Sequence, residues 1–76
     1  MVIPADQREA LRMLAGLPNG STESIMLAHG FAIGVLRDLV HSGLATAETR
    51  TVRVGRRLID VKWMTITDNG RRALAE

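Results

Sequence analysis

The chain has 76 residues, a formal net charge of +2 and no cysteine. That length makes one domain, residues 1–76, with a small core and a thin margin of stability. The missing cysteines exclude a disulfide framework and a thiolate-bound metal, and a hydrophobic content of 46% excludes a disordered chain. The basic charge is unevenly placed. Residues 1–48 carry three arginines against five carboxylates, net −2, whereas residues 49–76 carry seven basic groups against three acidic ones, net +4. An anionic partner for the C-terminal third is one meaning of this asymmetry; a plain preference for arginine as the basic residue is the other.

The longest near-apolar stretch, Ile25 to Leu36, is interrupted by His29, Gly30 and Gly34 and falls short of the ~18 residues a membrane span needs. The first residues lack the basic start and apolar run of a signal peptide. Together these features predict no membrane association and a cytoplasmic location.

Helical spacing of Ala10, Leu11, Leu14 and Leu17 predicts a first helix from Asp6 to Ala15, ended by Gly16 and Pro18. Asp6 and Glu9 have capping-box spacing. Ser21 or Thr22 caps a short second helix, Glu23 to Ala28, with Ile25, Met26 and Leu27 available to the core. A third helix starts near Phe31 or Ala32 and runs to Ser42, with Val35, Leu36, Leu39 and Val40 as its apolar stripe. Gly43 stands where a left-handed C-cap is needed, and Leu44 closes that motif by hydrophobic contact. From Ala45 the pattern changes to strand formers. Two such runs, one reaching Val54 and one from Leu58 to Thr67, flank the turn Gly55-Arg56-Arg57 and predict a β-hairpin. Strict alternation puts Ile59, Val61 and Trp63 on one face, opposite Asp60, Lys62 and Met64. Thr67 caps a last helix, Asp68 to Ala75. The fold class is therefore α+β, in the order helix, helix, helix, strand, strand, helix.

Two segments resemble a known family. Leu36-Arg37-Asp38-Leu39-Val40-His41-Ser42-Gly43-Leu44-Ala45 resembles the end of the recognition helix, and its exit, in bacterial winged-helix regulators. Met64-Thr65-Ile66-Thr67-Asp68-Asn69-Gly70-Arg71 resembles the segment that ends the wing hairpin in MarR-like and PadR-like repressors. The segments lie about twenty residues apart, as a wing hairpin requires. The resemblance, which spans residues 11–74, implies a winged helix: a three-helix core containing a helix-turn-helix, a two-stranded wing and a short C-terminal helix. It implies a transcriptional regulator with its third helix in the DNA major groove and its wing on the backbone. It also implies that Met64 and Ile66 are buried. The hairpin then carries apolar side chains on both faces, one packed on the helices and the other free for a second subunit.

Matched to the family, the base-reading positions of the third helix fall on Ile33 and Gly34. Neither makes a bidentate base contact, although Ile33 can touch a thymine methyl and Gly34 permits close backbone approach. Arg37 and His41 follow on one helical face. Arg53, Arg56 and Arg57 surround the hairpin tip, where a wing meets phosphates; a solvated charged turn is the alternative. Ser21 and Thr22 stand at a helix N-terminus, where they hold a phosphate or simply cap. These nine residues form the expected interface with double-stranded DNA, in a homodimer or beside a protein partner. The apolar start of the third helix equally fits a protein-interaction module.

No enzymatic constellation is visible. Ser, His and Asp occur in no nucleophile-elbow context, no phosphate-binding glycine loop is present, and the carboxylates are scattered. His29 and His41 stand twelve apart with no accompanying ligand set, so no metal or cofactor is expected.

Overall fold

The computed structural model describes residues 2–76. Helices α1 (Ala5–Ala15), α2 (Glu23–Ala28) and α3 (Ile33–His41) are followed by strands β2 (Ala45–Val54) and β3 (Arg57–Ile66) and by helix α4 (Asp68–Ala75). A two-residue strand, β1 (Ser21–Thr22), precedes α2. It pairs antiparallel with β3, Ser21 opposite Met64 and Thr22 opposite Trp63, so the sheet has the order β1-β3-β2. Four helices on a three-stranded antiparallel sheet make an α+β arrangement compatible with the winged helix that the resemblance implies.

Helix α1 begins one residue earlier than its pattern predicts. Pro4, with φ −52°, occupies the N-cap position, and its carbonyl accepts from the Arg8 amide at 3.0 Å. Asp6 therefore lies inside the first turn, where its charge meets the helix dipole, and the capping box does not form. Glu9 pairs instead with Arg12 at 3.0 Å. In α2 the Thr22 hydroxyl is the cap, accepting from the Ile25 amide at 3.1 Å. Of the three apolar residues offered by this helix, Met26 alone enters the core; Ile25 and Leu27 remain exposed. Six residues are too few turns to bury a broad stripe.

Helix α3 buries Leu36 and Leu39 and turns Val40 outward. Its exit is a Schellman motif. The Leu44 amide donates to the Leu39 carbonyl at 2.9 Å and the Gly43 amide to that of Val40 at 3.1 Å. Gly43 takes φ +74°, the left-handed conformation that a side chain disfavours. Buried Leu44 and Ala45 then lead into the sheet.

Strands β2 and β3 are paired without interruption from Ala45 opposite Ile66 to Val54 opposite Arg57. The turn is Gly55-Arg56, with Gly55 at φ +63°, so Arg57 begins the second strand. Directly opposed residues project to the same side. Ala45, Ala47, Thr49, Thr51 and Arg53 thus share the helix-side face with Ile66, Met64, Lys62, Asp60 and Leu58. The outer face carries Trp63, Val61 and Ile59, as alternation predicts, with Glu48, Arg50 and Val52 opposite them. Only the base of the hairpin touches the core; the remainder projects, and the molecule measures 45 × 22 × 20 Å.

The core is made by Leu11 and Leu14 of α1, Met26, Leu36 and Leu39 of α2 and α3, Leu44 before β2, and Ala45, Met64 and Ile66 of the sheet, closed by Ile3, Ala10 and Ala73. Trp63 stays half-buried on the outer face. Its indole N–H donates to the Asn19 carbonyl at 2.7 Å, which ties the loop before β1 to the sheet.

A candidate nucleic-acid interface

Helix α3 and the base of the hairpin enclose a cleft of about 460 Å³. One wall is the exposed side of α3, with Ile33, Arg37, Val40 and His41; the other is Ala47 and Lys62 of the sheet; Glu23 of α2 stands at one end and Leu36 and Met64 form the floor. The geometry follows from helical spacing. Leu36 and Leu39 fix the core side of α3, so residues 34, 37 and 41 lie at its solvent apex and residues 33 and 40 on the flank facing the hairpin. Ile33 is 40% exposed. An ideal Cβ on Gly34 would have no neighbour within 4 Å, so the backbone there is open to approach. Asp38, the acidic residue of α3, accepts from the Gln7 side chain of α1 at 3.4 Å, on the flank away from the cleft.

The expected site residues therefore divide. Ile33, Arg37 and His41 meet in the cleft, with Gly34 beside them. Ser21 does not join them: it is 4% exposed, lies in β1, and its hydroxyl donates to the Thr22 carbonyl at 3.4 Å. The Thr22 hydroxyl is committed to capping. Arg53, Arg56 and Arg57 are exposed at the hairpin tip, but they do not share one face. Arg53 lies on the helix side opposite Leu58, Arg57 on the outer side opposite Val54, and Arg56 in the turn. Five residues of strand separate Arg57 from Lys62, about 17 Å at the usual strand rise, so the tip and the cleft are separate basic patches along one arm.

Lys62 is the residue that sequence reading left out of the site. The signal was present: alternation places it on the face of Met64, which is the face that packs on the helices. Lys62 stands opposite Thr49 and projects into the cleft across from α3. Among the described residues, Arg12 and Arg50 are held in ion pairs with Glu9 and Glu48. Arg37, Arg53, Arg56, Arg57 and Lys62 make none, and no side-chain hydrogen bond engages them. These five cations are free to meet an anion.

Among the described residues no helix is long and apolar enough to cross a membrane. Comparison of the chain with known protein families, with characterised proteins and with solved structures finds no match.

Proposed function

We propose that this chain is a winged-helix DNA-binding protein, a small cytoplasmic transcriptional regulator and not an enzyme. In this reading α3 enters the major groove of duplex DNA and the β2–β3 hairpin follows the backbone. The observation that carries it is the set of unpaired cations on α3 and along the projecting hairpin. Arg37 and Lys62 face one another across the cleft, and Arg53 continues the helix-side face toward the tip. Arg56 and Arg57 finish the arm, where phosphates bind by charge-assisted hydrogen bonds. With Ile33 and Gly34 at the start of the helix, base contacts are few, so affinity comes chiefly from the backbone and depends steeply on salt.

Anisotropy of a labelled mixed-sequence duplex, measured over a series of salt concentrations, tests this. Five phosphate contacts give a slope of log K against log salt of roughly −4 to −5. Absence of binding at low salt overturns the reading.

A second reading rests on Ile33 and Val40, which are 40% and 38% exposed in the cleft. Such an apolar wall suits a protein partner, and the chain is then a winged-helix interaction module. Binding that persists at high salt favours this alternative.

A further inference from the structure

We propose that this chain forms a two-fold homodimer by antiparallel pairing of β2 with β2 of a second copy, in a register centred on Thr49. Strand β2 is an edge strand: β3 covers one side of it, and among the described residues no strand pairs with its other side. The turn decides which backbone groups face that open side. In a hairpin closed by a two-residue turn, the residues flanking the turn are a hydrogen-bonded pair. Here that pair is Val54 and Arg57. By alternation Val52, Arg50, Glu48 and Thr46 also bond toward β3, and the N–H and C=O groups of Arg53, Thr51, Thr49 and Ala47 point away from it. Four consecutive sets of free backbone groups make a template for another strand. Strand β2 has no proline and no break in its pairing; the charges it carries, Glu48, Arg50 and Arg53, deter an arbitrary strand.

Charge selects the register and the partner. Pairing centred on Thr49 puts Glu48 opposite Arg50 of the second copy, and Arg50 opposite its Glu48, both on the outer face. Within one chain Glu48 already accepts from Arg50, at 2.7 Å to Nε, and the Arg50 guanidinium lies 4.8 Å from the centre of the Trp63 ring. In the dimer the four charges alternate in sign both along and across the strands. The two neighbouring registers with the same backbone parity oppose Glu48 to Glu48, or Arg50 to Arg50, which is unfavourable. On the helix-side face the chosen register sets Thr51 opposite Ala47, two small side chains that admit close approach. The product is one six-stranded sheet with both α3 clefts on the same side. This association uses the open edge of β2 and not the cleft, so it is measured without DNA and its failure is distinguishable from failure of the DNA reading.

Sedimentation equilibrium of the intact chain gives the dimer constant, and variants test the register. Glu48→Arg and Arg50→Glu should each weaken the dimer roughly ten-fold or more, and the double exchange should restore it to within about three-fold. Circular dichroism checks that the exposed substitutions leave the fold intact. The chain has no cysteine, so Thr49→Cys introduces a single thiol. Its counterpart across the axis has a Cα about 5.5 Å away, within disulfide reach. Thr51→Cys, on the same face, meets its counterpart only four residues off register, about 14 Å away. Rapid oxidation to a linked dimer at 49 and not at 51, together with rescue by the charge exchange, supports the proposal. A chain that stays monomeric at about 1 mM, where even weak association shows, overturns it. So does equal cross-linking at 49 and 51, or failure of the exchange to restore the dimer.

Discussion

The Thr67 hydroxyl donates to the Gly43 carbonyl at 2.7 Å and accepts from the Gly70 amide at 3.0 Å. One oxygen thus caps α4 and ties it to the exit of α3, twenty-four residues earlier in the chain. The Thr67 amide donates to the Leu44 carbonyl at 3.1 Å, so the residue that ends the hairpin is fastened by two hydrogen bonds to the Gly43-Leu44 segment that leads into β2. This junction sets the angle at which the hairpin leaves the helices, and with it the width of the cleft. Thr67→Val should cost about 1–2 kcal/mol, the value of a lost cap with a tertiary hydrogen bond. Thr67→Ser keeps the oxygen and should cost far less. Urea denaturation of both variants measures the difference.

Two glycines should respond in opposite directions to the same substitution. A Cβ on Gly70 would overlap the Leu44 carbonyl oxygen and stand 2.7 Å from Ile66 Cγ1. Neither neighbour can retreat without shifting the sheet, so Gly70→Ala should destabilise by about 1–3 kcal/mol. A Cβ on Gly34 meets nothing within 4 Å. Gly34→Ala should therefore stabilise α3 by about 0.5–1 kcal/mol through helix propensity. If the open backbone at 34 is where DNA approaches, the same variant weakens duplex binding while its melting temperature rises.

Ile33 separates a surface role from a core role. At 40% exposure it should accept Ile33→Asp with the fold retained, as judged by circular dichroism. A carboxylate beside Arg37 then repels phosphate and weakens DNA binding; in the interaction-module reading it abolishes capture of the partner. An unfolded variant contradicts both readings, because it makes Ile33 a core residue.

The hairpin tip should act through charge alone. Replacing Arg56 and Arg57 together with Ala should flatten the salt slope of duplex binding by about two, one for each lost phosphate contact. Stability should change little, since both side chains are exposed and unpaired. An unchanged slope would remove the tip from the interface.

Much of the fold is legible because its signals are local. The Gly43-Leu44 pair announces a Schellman exit through backbone conformation alone, and the structure forms those two hydrogen bonds. Strict alternation correctly assigns Met64 and Trp63 to opposite faces, since a strand without a bulge leaves no other choice. Strand β1 left no such trace. Two residues have no period, and Ser21 becomes a strand residue only because β3 lies beside it. For the same reason Ser21 reads in sequence as one of two candidate caps and is buried in the fold. The three tip arginines look like one cluster in sequence, yet the pleat sends Arg53 and Arg57 to opposite sides. Lys62 needed one further step, the recognition that the face carrying Met64 also faces α3.

The most direct test of the central claim is a backbone amide NMR titration with a mixed-sequence DNA duplex at low salt, followed by added salt. The DNA-binding account predicts shifts confined to α3 from Ile33 to His41, to Lys62 and to Arg53–Arg57, all reversed as salt rises. No shifts at low salt, or shifts that leave these residues untouched, would contradict it and direct the search to a protein partner at residues 31–34.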